Sequence, residues 1–194
     1  MPSRSATMPS TSAVLDANVL FPMRLCDTLL TLAEVGVFTP LWTAFILNEM
    51  ERNLVAHRRT TAERAHRRRL IMEATFPAAT VTGFEPLIAA MPNDTDDRHV
   101  LATAVHAGAP VIVTQNLRHF PPDALASYAV VAQSADRFLL DRLAADPEAV
   151  TGAIHKQATA LTRPPQSAEQ VLARLATEAP QFARAMTVVL RGDS

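Results

Sequence analysis

The sequence predicts an α/β domain built around a parallel β-sheet. Three observations predict it. Short apolar runs alternate with stretches of helical periodicity from Ser12 to Val131. The runs, such as Ala13–Leu15 and the β-branched Val111–Thr114, have the composition of buried strands. A chain of 194 residues, 48% of them apolar, is also long enough to bury a core without disulfide staples.

In chain order, Ser12–Leu15 reads as a strand that stops at Asp16. Leu25–Val35 has helical spacing and Gly36 closes it. Leu41–His57 reads as a second helix entered at Thr43, and Thr61–Phe76 as a third, strongly basic one. Ala79–Thr82 reads as a strand. Asp94–Ala107 reads as a helix with acids in its first turn, ended by Gly108. Val111–Thr114 is a strand, Pro122–Ser127 a short helix and Ala129–Val131 a strand. Right-handed crossovers place helices on both faces of such a sheet, and its functional crevice lies at the carboxyl ends of the strands. Asp16 and Thr114–Gln115–Asn116 fall there.

Beyond Ser134 only helical patterns remain, over Ser134–Ala145, Pro147–Leu161 and a last stretch that Pro180 divides or kinks. The expected organisation is therefore a loose tail over 1–11, an α/β domain over 12–134 and a helical extension over 135–194. The first residues are rich in Ser, Thr and Pro and do not resemble a signal peptide. No apolar run approaches the roughly 20 residues that span a bilayer. The single cysteine, Cys26, excludes an internal disulfide and suits a reducing, cytoplasmic setting.

Net charge is only -1, but its distribution is uneven. Arg58, Arg59, Arg64, Arg67, Arg68 and Arg69 crowd one segment, whereas Asp94, Asp96 and Asp97 cluster elsewhere. Asp16, at the end of a buried strand, is costly unless something cationic meets it or it caps the next helix. Asp97 shares a helical face with Leu101 and Ala104, so it is aligned with a core-facing stripe; Asp94 lies one turn earlier. Trp42, Phe45 and Glu49 share a face by the same spacing. Carboxylates converging at strand ends from separate elements are what Mg²⁺ prefers, and what metal-assisted phosphodiester cleavage requires.

Four segments resemble the motifs of one family. Val14–Leu20 resembles the opening motif of PIN-domain nucleases, Leu47–Asn48–Glu49 their second acidic position, Asp97–Ala104 their third motif, and Val113–Pro121 their fourth. The resemblance runs from about Ser12 to Ser134. It implies a parallel sheet in a three-layer α/β/α sandwich, ligation of Mg²⁺ or Mn²⁺, and hydrolysis of single-stranded RNA. It gives Asp16, Glu49 and Asp97 the catalytic and metal-binding role. Many relatives carry an Asp in the fourth segment, where this chain has Asn116 and His119. Asn116 can ligate through its carbonyl, and Asp94 can supply the missing charge. By resemblance, Thr114 and Asn18 orient waters or ligands. Many small bacterial members are VapC-like toxins, each neutralised by a cognate antitoxin, which implies a protein partner and a homodimer.

The arginine-rich helix and the residues just before it suit contact with RNA phosphates through Arg58, Arg59, Arg67, Arg68 and Arg69; a solvated face, or a surface for an acidic partner, is the other reading. Aromatics for base stacking are scarce, with one tryptophan and one tyrosine, and Trp42 and Phe45 read as core residues rather than base-stacking ones. His57, His66, His99 and His106 have no zinc-ligand spacing, and Cys26 reads as core. A haloacid-dehalogenase-like phosphatase would want an Asp where Asn18 stands, and a lysine near the site. The lone Lys156 sits far along the chain, which also disfavours a receiver domain. A P-loop and a G-x-S-x-G nucleophile motif are both absent. A PIN fold that binds RNA or protein without cutting is the remaining alternative.

Overall fold

The computed structural model describes residues 11–162 and 164–192. The expected loose tail falls outside them except for Thr11.

The sheet among the described residues is parallel throughout, in the order β2-β1-β3-β4. Strand β1 (Ser12–Leu15) pairs with β2 (Thr39–Leu41) on one side and β3 (Val111–Val113) on the other, and β4 (Val131–Gln133) pairs with β3. Successive strand side chains point to opposite faces. Ala13, Val14 and Leu15 are all fully buried, so β1 is covered on both faces, as the α/β/α sandwich requires.

A short helix α1 (Ala17–Leu20) follows β1 directly, and α2 (Met23–Glu34) crosses over to β2. Gly36 then takes a left-handed φ of +84°, a conformation that favours glycine. Helix α3 (Ala44–Ala56) is capped by Thr43, whose hydroxyl accepts from Ile46 N–H, and α4 (Ala62–Thr75) by Thr61 in the same way. Helix α5 (Arg98–Ala107) packs on β1 and β3 and ends at Gly108. Helix α6 (Pro122–Leu125) leads into β4.

Four more helices follow: α7 (Ala135–Ala145), α8 (Pro147–Ala160), α9 (Ala168–Leu175) and α10 (Pro180–Gly192). They form the C-terminal helical extension of the sandwich. Helix α8 lies against α2. Gln157 binds Thr28 and Asp27 at that contact, and Lys156 pairs with Glu34 at 2.8 Å. The buried Asp136 of α7 accepts from the Gln181 and Phe182 N–H groups, and so caps α10 across the two helices. Pro180 opens α10 at the position where its missing N–H costs nothing.

Several elements differ from expectation. Thr39–Leu41 is a strand, so Leu41, the first residue of the expected Leu41–His57 helix, lies outside α3, which begins after Thr43; three residues with a central proline carry no periodic signal. Ala79–Thr82 shrinks to one bridge, Trp42 to Thr80. The helix expected over Asp94–Ala107 begins at Arg98, after a single 3-10 turn over Thr95–Asp97. The last strand begins at Val131, because Ala129 sits at φ +54°, outside the extended region.

Candidate active site

Asp16 immediately follows β1. The register that pairs Leu15 with Val113 carries on so that Asp16 N–H donates to the Val113 carbonyl at 3.1 Å. Asp16 and Thr114 therefore leave neighbouring strands side by side. Asp16 occupies the cap position of α1, but its side chain makes no capping hydrogen bond. The carboxylate turns instead to Thr114, whose hydroxyl donates to Oδ2 at 2.6 Å, and to Asn18, whose amide donates to the same oxygen at 2.6 Å.

The supports are themselves fixed. Thr114 Oγ1 accepts from the Asn116 N–H and from Asn18 Nδ2, both at 3.0 Å, so its one donor and two acceptor sites are all used. Asn18 Oδ1 accepts from Gln115 N–H at 2.9 Å. The 114–116 segment and Asn18 thus form one lattice around a single carboxylate.

Asp16 is 2% exposed and forms no ion pair among the described residues. Burial pushes its carboxyl up to about 6, against the Thr114 hydrogen bond, and the charges of Asp97 and Glu49 push the same way. Glu49, half-buried two turns into α3, is raised by burial and by Asp97, while Arg52 pulls it down. Three acids distant in the chain thus feel one another's charge.

Asp97 sits at the cap position of α5, half-buried, ahead of the fully buried Leu101 and Ala104. Its Oδ2 lies 2.5 Å from His119 Nδ1. Asp94 is exposed and joins them: one ligand atom each from Asp94, Asp97 and His119 lie within 4.8 Å of one another. The Asp94 N–H donates to the His119 carbonyl, which closes the two loops on each other. Carboxylate oxygens with one imidazole are a suitable donor set for Mg²⁺ or Mn²⁺. Asp16 and Glu49, raised first by burial and then by the negative charge of their neighbours, fit a cation as well.

His119 is the site residue that sequence reasoning missed as a potential ligand. Its only signal was its place in the fourth segment, three residues after Asn116. Asn116 is exposed at the rim and engages Thr114 through its backbone N–H.

The basic segment divides in two. Arg58 and Arg67 are exposed, and Arg59 is exposed with its guanidinium 6.0 Å from the Phe21 ring centroid. Arg68 instead turns inward and donates to the Leu20 carbonyl at 2.7 Å. Arg69 pairs with Glu73 and Glu51 and donates to Asn48. Both are struts between helices. Cys26 is buried in the core beside Arg68, and burial pushes its thiol up, so it is not a poised nucleophile. Trp42 is core, as expected; Phe45 is not, being 53% exposed.

A family model described as PIN domain matches residues 12–118, and one described as VapC50 C-terminal domain matches residues 135–187. A Mycobacterium tuberculosis protein named "Putative ribonuclease VapC50" is 48% identical over 101 residues, which cover 52% of this chain and 60% of that protein. The chain thus matches less than two thirds of that relative's length. No solved structure matches the chain significantly.

Proposed function

The chain belongs to the PIN-domain family, and on that premise we propose that it is a metal-dependent endoribonuclease in which Asp16, Glu49 and Asp97 hold Mg²⁺ or Mn²⁺. Asp94 and His119 complete the donor set, and Asn116 contributes from the rim. The observation that carries this reading is Asp16: a buried carboxylate at a strand end, raised to about 6 and lacking any cationic partner among the described residues.

What a divalent cation supplies at such a site is positive charge, which acidifies water and offsets charge on a scissile phosphate. Every other contribution comes from the chain. Thr114 and Asn18 aim the Asp16 carboxylate and spend their hydrogen bonds doing so. The N-terminal end of α5 presents Asp97, and His119 fixes one of its oxygens. Leu15 and Val113, the last residues of β1 and β3, are fully buried, which leaves no water beneath Asp16 on the core side. Arg58, Arg59 and Arg67 contact RNA phosphates, which carry charge that the acids alone would repel.

The name of the mycobacterial relative supports ribonuclease activity, and the family resemblance supports a toxin of a toxin–antitoxin pair. In this reading the protein acts in the cytoplasm as a homodimer neutralised by a cognate protein antitoxin. Residues 12–134 carry the nuclease and 135–194 form a helical extension; no described helix is long and apolar enough to cross a membrane.

The test is cleavage of RNA by the purified chain with Mn²⁺ or Mg²⁺, beside an EDTA control and Asp97→Asn. Metal-dependent cleavage that the substitution reduces by at least about a hundredfold supports the assignment. Equal cleavage by Asp97→Asn sinks it, and RNA binding without cleavage or Mn²⁺ binding favours a non-catalytic binding module.

A further inference from the structure

Phe45 is the one exposed phenylalanine, tryptophan or tyrosine among the described residues; the other phenylalanines, Trp42 and Tyr128 are buried or half-buried. It stands on α3 one turn before Glu49, and residues four apart on a helix rise from the same face. The ring is held from two sides. Phe84 meets it edge-on, with centroids 6.0 Å apart and planes at 85°. His99 lies 6.1 Å away, tilted by 32°. His99 belongs to α5, two residues beyond Asp97, and Phe84 precedes a 3-10 turn that packs on α5. Phe45 therefore bridges the two helices that present Glu49 and Asp97.

A ring fixed this way differs from a loose surface side chain. Its orientation is set before anything binds, so little freedom is lost on stacking. Its neighbours on the outward side of α3, Asn48 and Arg52, are polar and exposed, so along that helix face the ring is followed by polar groups. That shape suits one flat, polar-edged ring better than the continuous apolar patch that a protein partner covers.

We propose that Phe45 is a stacking platform for a nucleobase of single-stranded RNA, seating the nucleotide next to the carboxylates. The proposal rests on the nuclease reading of the same site and adds the residue that positions the substrate. Stacking tolerates any base, because every base has a π-face, so Phe45 sets placement more than sequence preference.

The test uses the full chain carrying Asp97→Asn, with Mg²⁺ present, and a short fluorescein-labelled single-stranded RNA. Binding is measured by anisotropy for Phe45→Ala, Phe45→Leu and Phe45→Trp. Leucine keeps apolar bulk without a π-face. Loss of about tenfold in affinity for both alanine and leucine is expected, with affinity retained by tryptophan and its emission quenched by RNA. An abasic site scanned along the RNA should weaken binding at one position, and that loss should vanish in Phe45→Ala. Equal affinity across the three variants overturns the proposal, as does abasic loss that is independent of Phe45. Leucine binding as well as phenylalanine overturns it too, since plain apolar contact would then suffice. Thermal melts of each variant separate misfolding from lost binding. Failure of the nuclease reading shows elsewhere, as absence of cleavage by the unsubstituted chain with Mn²⁺.

Discussion

His119 Nδ1 and Asp97 Oδ2 lie 2.5 Å apart, one from the turn after β3 and the other from the cap position of α5. The contact joins the third and fourth family-like segments into one rim. On the proposed reading it also sets an imidazole among the carboxylates that would hold the metal. His119→Ala is expected to weaken Mn²⁺ affinity by roughly 10–100-fold, the usual cost of losing a ligand or its partner. Titration calorimetry measures it. Unchanged affinity would place His119 outside the metal-binding set.

Asp16 gives a pH prediction whose sign is fixed by its raised carboxyl. In the unfolded chain it loses its proton near 3.8, and in the folded protein near 6. Below that window both states are protonated. Through it the unfolded chain holds fewer protons, so folding stability falls as pH rises, by on the order of 2–3 kcal/mol, and then levels off. Asp16→Asn should remove this decline. In metal-free buffer at neutral pH the variant should melt several degrees above the parent, at roughly 2–4 °C per kcal/mol. Saturating Mn²⁺ should raise the parent and leave the variant where it was. Scanning fluorimetry across pH, with and without Mn²⁺, reads both effects.

The basic segment predicts a graded salt response. Arg58→Ala and Arg67→Ala should each lower the slope of log affinity for single-stranded RNA against log salt by about 0.7. Arg68→Ala should leave that slope alone and lower thermal stability, since its guanidinium holds the Leu20 carbonyl. Anisotropy titrations at several salt concentrations test this. An equal change of slope for all three would mean that the division into exposed and inward-turned arginines has no functional meaning.

Asp136→Ala removes the carboxylate that accepts from Gln181 and Phe182 N–H at 3.2 and 2.8 Å. The expected cost is about 1–3 kcal/mol, seen as a lower melting temperature and faster hydrogen exchange in α10. RNA cleavage at saturating metal should not change, because α10 packs on α7, α8 and α9, which carry none of the site carboxylates. Unchanged exchange in α10 would show that its apolar face alone holds it.

The alternation of strand and helix was legible because β1 and β3 are apolar enough to stand out and because Thr43, Thr61 and Gly108 mark helix ends. Strand β2 was not, since Pro40 and a length of three residues leave no pattern. Phe45 was misread through Trp42. Their spacing suggests one helical face, but Trp42 lies before α3 begins, bridged to Thr80, so it sets no helical phase. The buried face of α3 is instead Ile46, Leu47, Met50 and Leu54. Among the acids, Asp16 could be singled out as a charge at the end of an apolar strand. The approach of His119 to Asp97 could not, because it depends on how two loops close after the sheet has formed.

The strand order β2-β1-β3-β4 has a consequence for the newborn chain. A ribosome extrudes the N-terminus first, at about 5–20 residues per second. Strand β1 emerges early, yet its inner neighbour β3 is made only after α5, and Thr114, which steers Asp16, comes with it. Until then the β1 edge that β3 will occupy has no partner, and Asp16 has neither its hydroxyl donor nor Asp97 nearby. Any activity of the site therefore arrives late and all at once, when translation of the sheet is nearly over, and the cell making the protein meets it only as a finished fold.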